Sequence, residues 1–167
     1  KKPESVDICF LPHGNYQKLV VEEMKGKPES GNIVTEDGEV LGKHNGLFNY
    51  TIGQRKGLGI AYKHPLYVIG FNGDRNEVIV GPNERLFTNR MICKFYNFLD
   101  DTIHKELKAE GKIRYAANPS PCTARILDDD TMEVIFEEPQ RAITPGQSVA
   151  FYNGTQLLGG AVIDRVC

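Results

Sequence analysis

The chain has 167 residues, with 20 Lys and Arg against 22 Asp and Glu, for a net charge of −2. This balance excludes a strongly basic nucleic-acid arm and an acidic disordered tail, but it permits a local basic patch. The length fits one domain or two small ones and can bury roughly 68–70% of the unfolded surface without staples.

No apolar run approaches the ~20 residues of a membrane span. The opening Lys-Lys-Pro-Glu-Ser carries no signal-peptide core. Cys9, Cys93, Cys122 and Cys167 lie far apart with no CxxC spacing. Neither a zinc site nor a disulfide framework is indicated, and a reduced, cytoplasmic setting is expected. With 17 Gly and 9 Pro, turns are frequent.

In chain order, residues 1–14 read as irregular. Asn15 caps a predicted helix to about Met24, with Tyr16, Leu19, Val20 and Met24 at helical spacing. Residues 32–42 read as a hairpin around Glu36-Asp37-Gly38. A second hairpin spans 66–81 across Asn72–Asn76, and Met91–Leu99 reads as a strand. From Leu107 the pattern alternates: Leu107, Ala109, Gly111, Ile113 and Tyr115 share one parity. After the Pro119–Pro121 loop come Cys122, Ala124 and Ile126, then Met132, Val134 and Phe136 beyond the Asp128–Asp130 turn. Val149 and Phe151 follow, then the Asn153-Gly154 turn and Leu157–Ile163. Short strands between turns predict a mainly β chain ending in a barrel or sandwich, with a boundary near 85–90.

Three segments could carry chemistry. The stretch Tyr50–Ile60 sets Gln54, Arg55 and Lys56 among three glycines. Glycine permits close backbone approach, and these side chains supply donors for phosphates or base edges. The plainer reading is a flexible surface loop, and the order is not that of a P-loop. Lys112-Ile113-Arg114-Tyr115 would place Lys112 and Arg114 on one strand face, opposite Ile113 and Tyr115. Cations beside a ring suit RNA, although an ordinary solvated face is the simpler reading. Thr144-Pro145-Gly146-Gln147 reads as a type II-like turn with a structural role. Cys9, between Ile8 and Phe10, reads as a small buried hydrophobe. His13, His44, His64 and His104 show no ligand spacing, and no metal is expected.

Five segments in this order resemble the tRNA-specific 2-thiouridylase family. They are Ser5–Phe10; Gly31–Val34 with the Asp37-Gly38 turn; Tyr50–Ile60; Lys112–Tyr115 with Pro121-Cys122-Thr123; and Glu138-Pro139 through Thr144–Gln147 to Leu158-Gly159-Gly160. The resemblance covers nearly the whole chain. It implies a small central α+β or β domain over 1–88 and an antiparallel, translation-factor-like barrel of six or seven strands over 89–167.

The implied reaction replaces the C2 oxygen of the wobble uridine in the tRNA anticodon stem-loop with sulfur. ATP provides the activation, and a persulfide is delivered by a sulfur-carrier protein. The resemblance gives the persulfide to Cys9 and tRNA contacts to Arg114, Tyr115 and Gln147, and it sets Gln54, Arg55 and Lys56 near the mouth of the active site. ATP and a first cysteine belong to an N-terminal domain with an SGGxDSS motif. That motif is not found here, so the 167 residues are expected to be inactive alone. Two alternatives remain at this point. One is a non-catalytic RNA-binding barrel; the other is a redox-sensing β-protein with two cysteines in disulfide reach.

Overall fold

The computed structural model of the chain describes residues 16–23, 29–100 and 105–167. Helix α1 spans Tyr16–Glu23. Its expected cap, Asn15, and its expected end, Met24, lie outside the described residues. Apart from α1 and two single-turn 3₁₀ segments, all described secondary structure is strand. No helix among the described residues is long and apolar enough to cross a membrane.

The first unit is a four-stranded sheet in the order β2-β1-β4-β3. It comprises β1 (Ser30–Thr35), β2 (Val40–Asn45), β3 (Tyr67–Asn72) and β4 (Glu77–Gly81). The β1–β2 hairpin closes where Gly38 adopts φ 85 and donates to the Thr35 carbonyl at 3.0 Å. Asp-Gly meets this turn because only a residue without Cβ enters that region cheaply. The second hairpin pairs β3 with β4 antiparallel. The hairpins join through parallel pairing of β1 with β4, with Ile33 opposite Val78. Ile33, Val68, Val78 and Val80 are fully buried between them.

The chain crosses from β4 to β5 through a 3₁₀ turn at Asn83–Leu86. Six antiparallel strands then close a barrel in the order β10-β5-β8-β7-β6-β9. They are β5 (Phe87–Phe98), β6 (Glu106–Lys112), β7 (Ser120–Ile126), β8 (Thr131–Arg141), β9 (Ser148–Asn153) and β10 (Gln156–Val166). The fold class is therefore mainly β, a closed antiparallel barrel preceded by a mixed sheet. The alternation read in β8 holds, with Met132, Val134 and Phe136 all pointing into the core. A Cβ on Gly111 would lie 2.8 Å from the Phe136 ring and 2.9 Å from Cys122 Sγ, so β6 needs glycine to pass this point.

The alternation read through Leu107–Tyr115 fails at its end. Strand β6 stops at Lys112, and Ile113–Ala117 turn away, closed by Ala117 N–H donating to the Arg114 carbonyl at 3.1 Å. Ile113 still plugs the core, but Tyr115 is 81% exposed. Strand parity no longer applies past Lys112, so Lys112 and Tyr115 are not on opposite faces. The Lys112 ammonium lies over the Tyr115 ring, 5.4 Å from its centroid.

Candidate nucleic-acid interface

Arg114 leaves the end of β6 and reaches back to the turn after β8. Its Nη2 donates to the Ala142 carbonyl at 2.5 Å and to Thr144 Oγ1 at 3.0 Å. Thr144 Oγ1 in turn donates to the same carbonyl at 3.0 Å. Partial burial, and next the nearby charge of Arg141, pull the Arg114 pKa below its ordinary value. Both causes disfavour an unpaired cation there.

The Thr144–Gln147 turn has the type II form. Gly146 has φ 84, and Gln147 N–H donates to the Thr144 carbonyl at 3.2 Å. Backbone bonds from Gly146 N–H to the Ile163 carbonyl and from Ile163 N–H to the Gln147 carbonyl, both 2.8 Å, pin it to β10. Gln147 is thereby set beside Arg114 and Tyr115. The neighbours Arg114 and Tyr115, and Gln147 more than thirty positions further on, line one open concavity of about 540 Å³. Among the described residues no carboxylate lines it.

A second concavity, about 390 Å³, lies on the other side of Arg114 and includes Asn118, Ser120, Gln140 and Arg141. Arg141 is held from the sheet unit. Its Nε donates to Asn83 Oδ1 at 3.1 Å, and its guanidinium lies 5.5 Å from the Tyr67 ring centroid. The sequence reading missed Arg141 and the positioning role of Thr144. Neither carries a local signal, because barrel closure and the seam with the sheet create both relationships.

The glycine-rich loop meets the barrel at the same seam. A Cβ on Gly53 would lie 3.2 Å from Ala142 Cβ and 3.4 Å from Arg141 Nη1. The loop is anchored rather than free. Leu58 is buried in the sheet core, Gly53 N–H donates to the Val68 carbonyl at 2.8 Å, and Val68 N–H donates to the Gln54 carbonyl at 2.9 Å. The Gln54 amide is engaged inside the loop, accepting from Thr51 N–H and donating to the Lys56 carbonyl, each at 3.0 Å. Arg55 and Lys56 are exposed.

The start of this loop is committed to the chain's own backbone. The N–H groups of Gly53 and Gln54 are spent on the Val68 and Thr51 carbonyls, and no described helix starts from the loop. Among the described residues, no cluster of three or more His, Cys, Asp or Glu side chains is placed to hold a metal ion.

Cys9 lies outside the described residues. Cys93, Cys122 and Cys167 are free thiols, so the paired-thiol reading finds no disulfide among the described residues. Burial pushes the Cys93 thiol up to about 12 and the Cys122 thiol up to about 11. Neither forms a thiolate nucleophile near neutral pH.

Two family models match the chain. The tRNA methyl transferase PRC-barrel domain matches residues 18–82, and the aminomethyltransferase beta-barrel domain matches residues 88–163. A tRNA-specific 2-thiouridylase MnmA from Clostridioides difficile is 44% identical over 165 residues, 98% of this chain and 46% of that protein. The protein of the same name from Carboxydothermus hydrogenoformans is 45% identical over 165 residues, 98% of this chain and 45% of its own length. A third, from Clostridium botulinum, is 43% identical over 166 residues, 99% of this chain and 46% of its own length. The chain thus spans just under half the length of the curated relatives it matches. These matches run through the sheet, the seam and the barrel alike, and the chain belongs to the tRNA-specific 2-thiouridylase family.

Proposed function

We propose that this chain is the RNA-docking part of an enzyme that converts the wobble uridine of tRNA to 2-thiouridine. In this reading residues 89–167 hold the anticodon stem-loop and residues 1–88 present Cys9 to it. The observation that carries the reading is the shared concavity of Arg114, Tyr115 and Gln147. A cation, an open aromatic face and an amide are the three kinds of group that recognise single-stranded RNA loops, for phosphates, stacking and base edges. Arg55 and Lys56 are exposed cations on the sheet unit.

Cys9 would carry the sulfur as a persulfide. A sulfur-carrier protein's persulfide passes its outer sulfur to the Cys9 thiol, leaving the donor as a thiol with no net change of oxidation state. ATP activation of the uridine C2 oxygen would use residues other than these 167, and the setting is a reducing cytoplasm. The test has two parts. Binding of a tRNA transcript to this chain should weaken with salt. After exposure to a persulfide-loaded carrier protein, mass spectrometry should find one added sulfur on Cys9 and none in Cys9→Ser. An inert Cys9 with tRNA binding intact would leave a non-catalytic RNA-binding module. ATP-dependent thiolation of tRNA by the 167 residues alone would overturn the division of labour.

A further inference from the structure

The barrel holds five arginines, and three of them face carboxylates. Arg90 pairs with Glu133 at 2.6 Å, Arg125 with Glu106 at 2.8 Å and Arg165 with Asp164 at 2.9 Å. Arg114 and Arg141 do not. Among the described residues neither has an ion-pair partner, and Arg114 lies in the field of Arg141. Like charges repel, so bringing two together without a counter-charge costs stability unless something else is gained.

Both guanidiniums are also oriented in advance. Arg114 is fixed by the Ala142 carbonyl and Thr144 Oγ1. Arg141 is fixed by Asn83 Oδ1 and by the Tyr67 ring. In each case only part of the guanidinium is engaged, which leaves further N–H donors for a ligand. They line one concavity of about 390 Å³ together with the neutral polar residues Asn118, Ser120 and Gln140. Exposed cations with no fixed partner usually swing freely. A pair held in place, on residues from both folding units, matches what a doubly liganded oxyanion requires.

We infer that Arg114 and Arg141 together clamp one backbone phosphate of the RNA at the seam between sheet and barrel. The clamp rests on the RNA-docking reading above and extends it. It carries the strand from the Tyr115–Gln147 concavity, past the buttress of Gly53, toward Arg55 and Lys56. It also makes the sheet unit part of the binding surface, because Asn83 and Tyr67 hold Arg141.

The test measures binding of a tRNA transcript to this chain and to Arg114→Ala, Arg141→Gln and the double variant, across a salt series. Each single variant should bind about tenfold more weakly at physiological salt, as expected for losing a charged hydrogen-bonding partner. Each leaves the other guanidinium on the shared phosphate, so the log–log salt slope should fall by less than the ~0.9 of one lost phosphate contact. Because one phosphate is shared, the double variant should lose about 0.9 of slope in all. Asn83→Asp keeps an acceptor for Arg141 but adds a neutralising carboxylate, and should weaken binding similarly with the arginine still present. Urea midpoints checked alongside separate binding loss from unfolding.

Wild-type affinity and slope in Arg141→Gln and Asn83→Asp, with Arg114→Ala and Tyr115→Ala still impaired, would overturn the clamp and leave the docking reading standing. A slope loss near ~1.8 in the double variant, about 0.9 from each arginine, would show two separate phosphate contacts and would also overturn it. A wild-type chain that fails to bind tRNA in a salt-dependent way would remove both.

Discussion

The ammonium of Lys112 lies over the Tyr115 ring, 5.4 Å from its centroid, although the two residues sit on opposite sides of the point where β6 ends. The turn that follows brings the cation onto the ring and leaves the ring 81% exposed. Such an aromatic has a face free for a nucleobase, with a cation already beside it to meet the adjoining phosphate.

Tyr115→Ala should therefore weaken binding to a tRNA transcript by roughly 1–3 kcal/mol, while Tyr115→Phe should bind nearly as the wild type. Fluorescence anisotropy in moderate salt reads the difference. Equal losses in both variants would assign the effect to the hydroxyl, not to stacking.

Thr144→Val keeps the shape of the turn and removes the hydroxyl that Arg114 shares with the Ala142 carbonyl. Stability should fall by about 1 kcal/mol, the usual net worth of one hydrogen bond. RNA affinity should fall as the guanidinium loses its orientation, with the salt slope unchanged because the charge remains. A reduced slope would mean that Thr144 does more than position Arg114.

Gly31 is the tightest point of the sheet. A Cβ there would lie 1.9 Å from the Asn76 carbonyl oxygen and 2.5 Å from His44 Nε2. The buried His44 is itself pinned, with Nε2 3.0 Å from that carbonyl and Nδ1 accepting from Gly46 N–H at 3.1 Å. No flexible side-chain end can yield, so Gly31→Ala should destabilise the fold by about 3 kcal/mol. Urea unfolding measures this, and a loss well under 1 kcal/mol would show that β1 and β4 can part without cost.

The buried thiols give stability a pH dependence. Cys93 rises from 9.0 to about 12 and Cys122 from 9.0 to about 11, both chiefly through burial. The unfolded chain releases these protons first, so their contribution is complete below pH 9 and is lost as pH rises toward the folded values. Each adds a negative slope of about 1.4 kcal/mol per pH unit in that window. Unfolding free energies above pH 9 should thus fall more steeply in the wild type than in the variant carrying Cys93→Ala and Cys122→Ala. Parallel curves would contradict the assignment.

Local chemistry made some of this legible from sequence alone. The Asp37-Gly38 turn and the Pro145-Gly146 turn each need a specific backbone conformation that few residues adopt cheaply, so a handful of letters suffices. Met132, Val134 and Phe136 announced β8 because one face of that strand is wholly buried. The parallel pairing of β1 with β4 was not legible, since it links segments more than forty residues apart through no local signal. Tyr115 was misplaced because alternation continued in the letters after the strand had ended. Gln54 read as a ligand-facing donor, but its amide closes the loop that holds it. Arg141 stayed invisible because its meaning comes from Tyr67 and Asn83, which reach it only across the seam.

The barrel's strand order has a consequence for synthesis. Strand β10 pairs with both β9 and β5, and Cys167 N–H reaches the Arg90 carbonyl at 3.1 Å. Until β10 has been made, the other five strands form an open sheet with two unpaired edges. Such edges invite pairing with neighbouring chains. The barrel is therefore most prone to aggregate in the moments before β10 arrives, and a stop or frameshift within β10 would make that interval permanent.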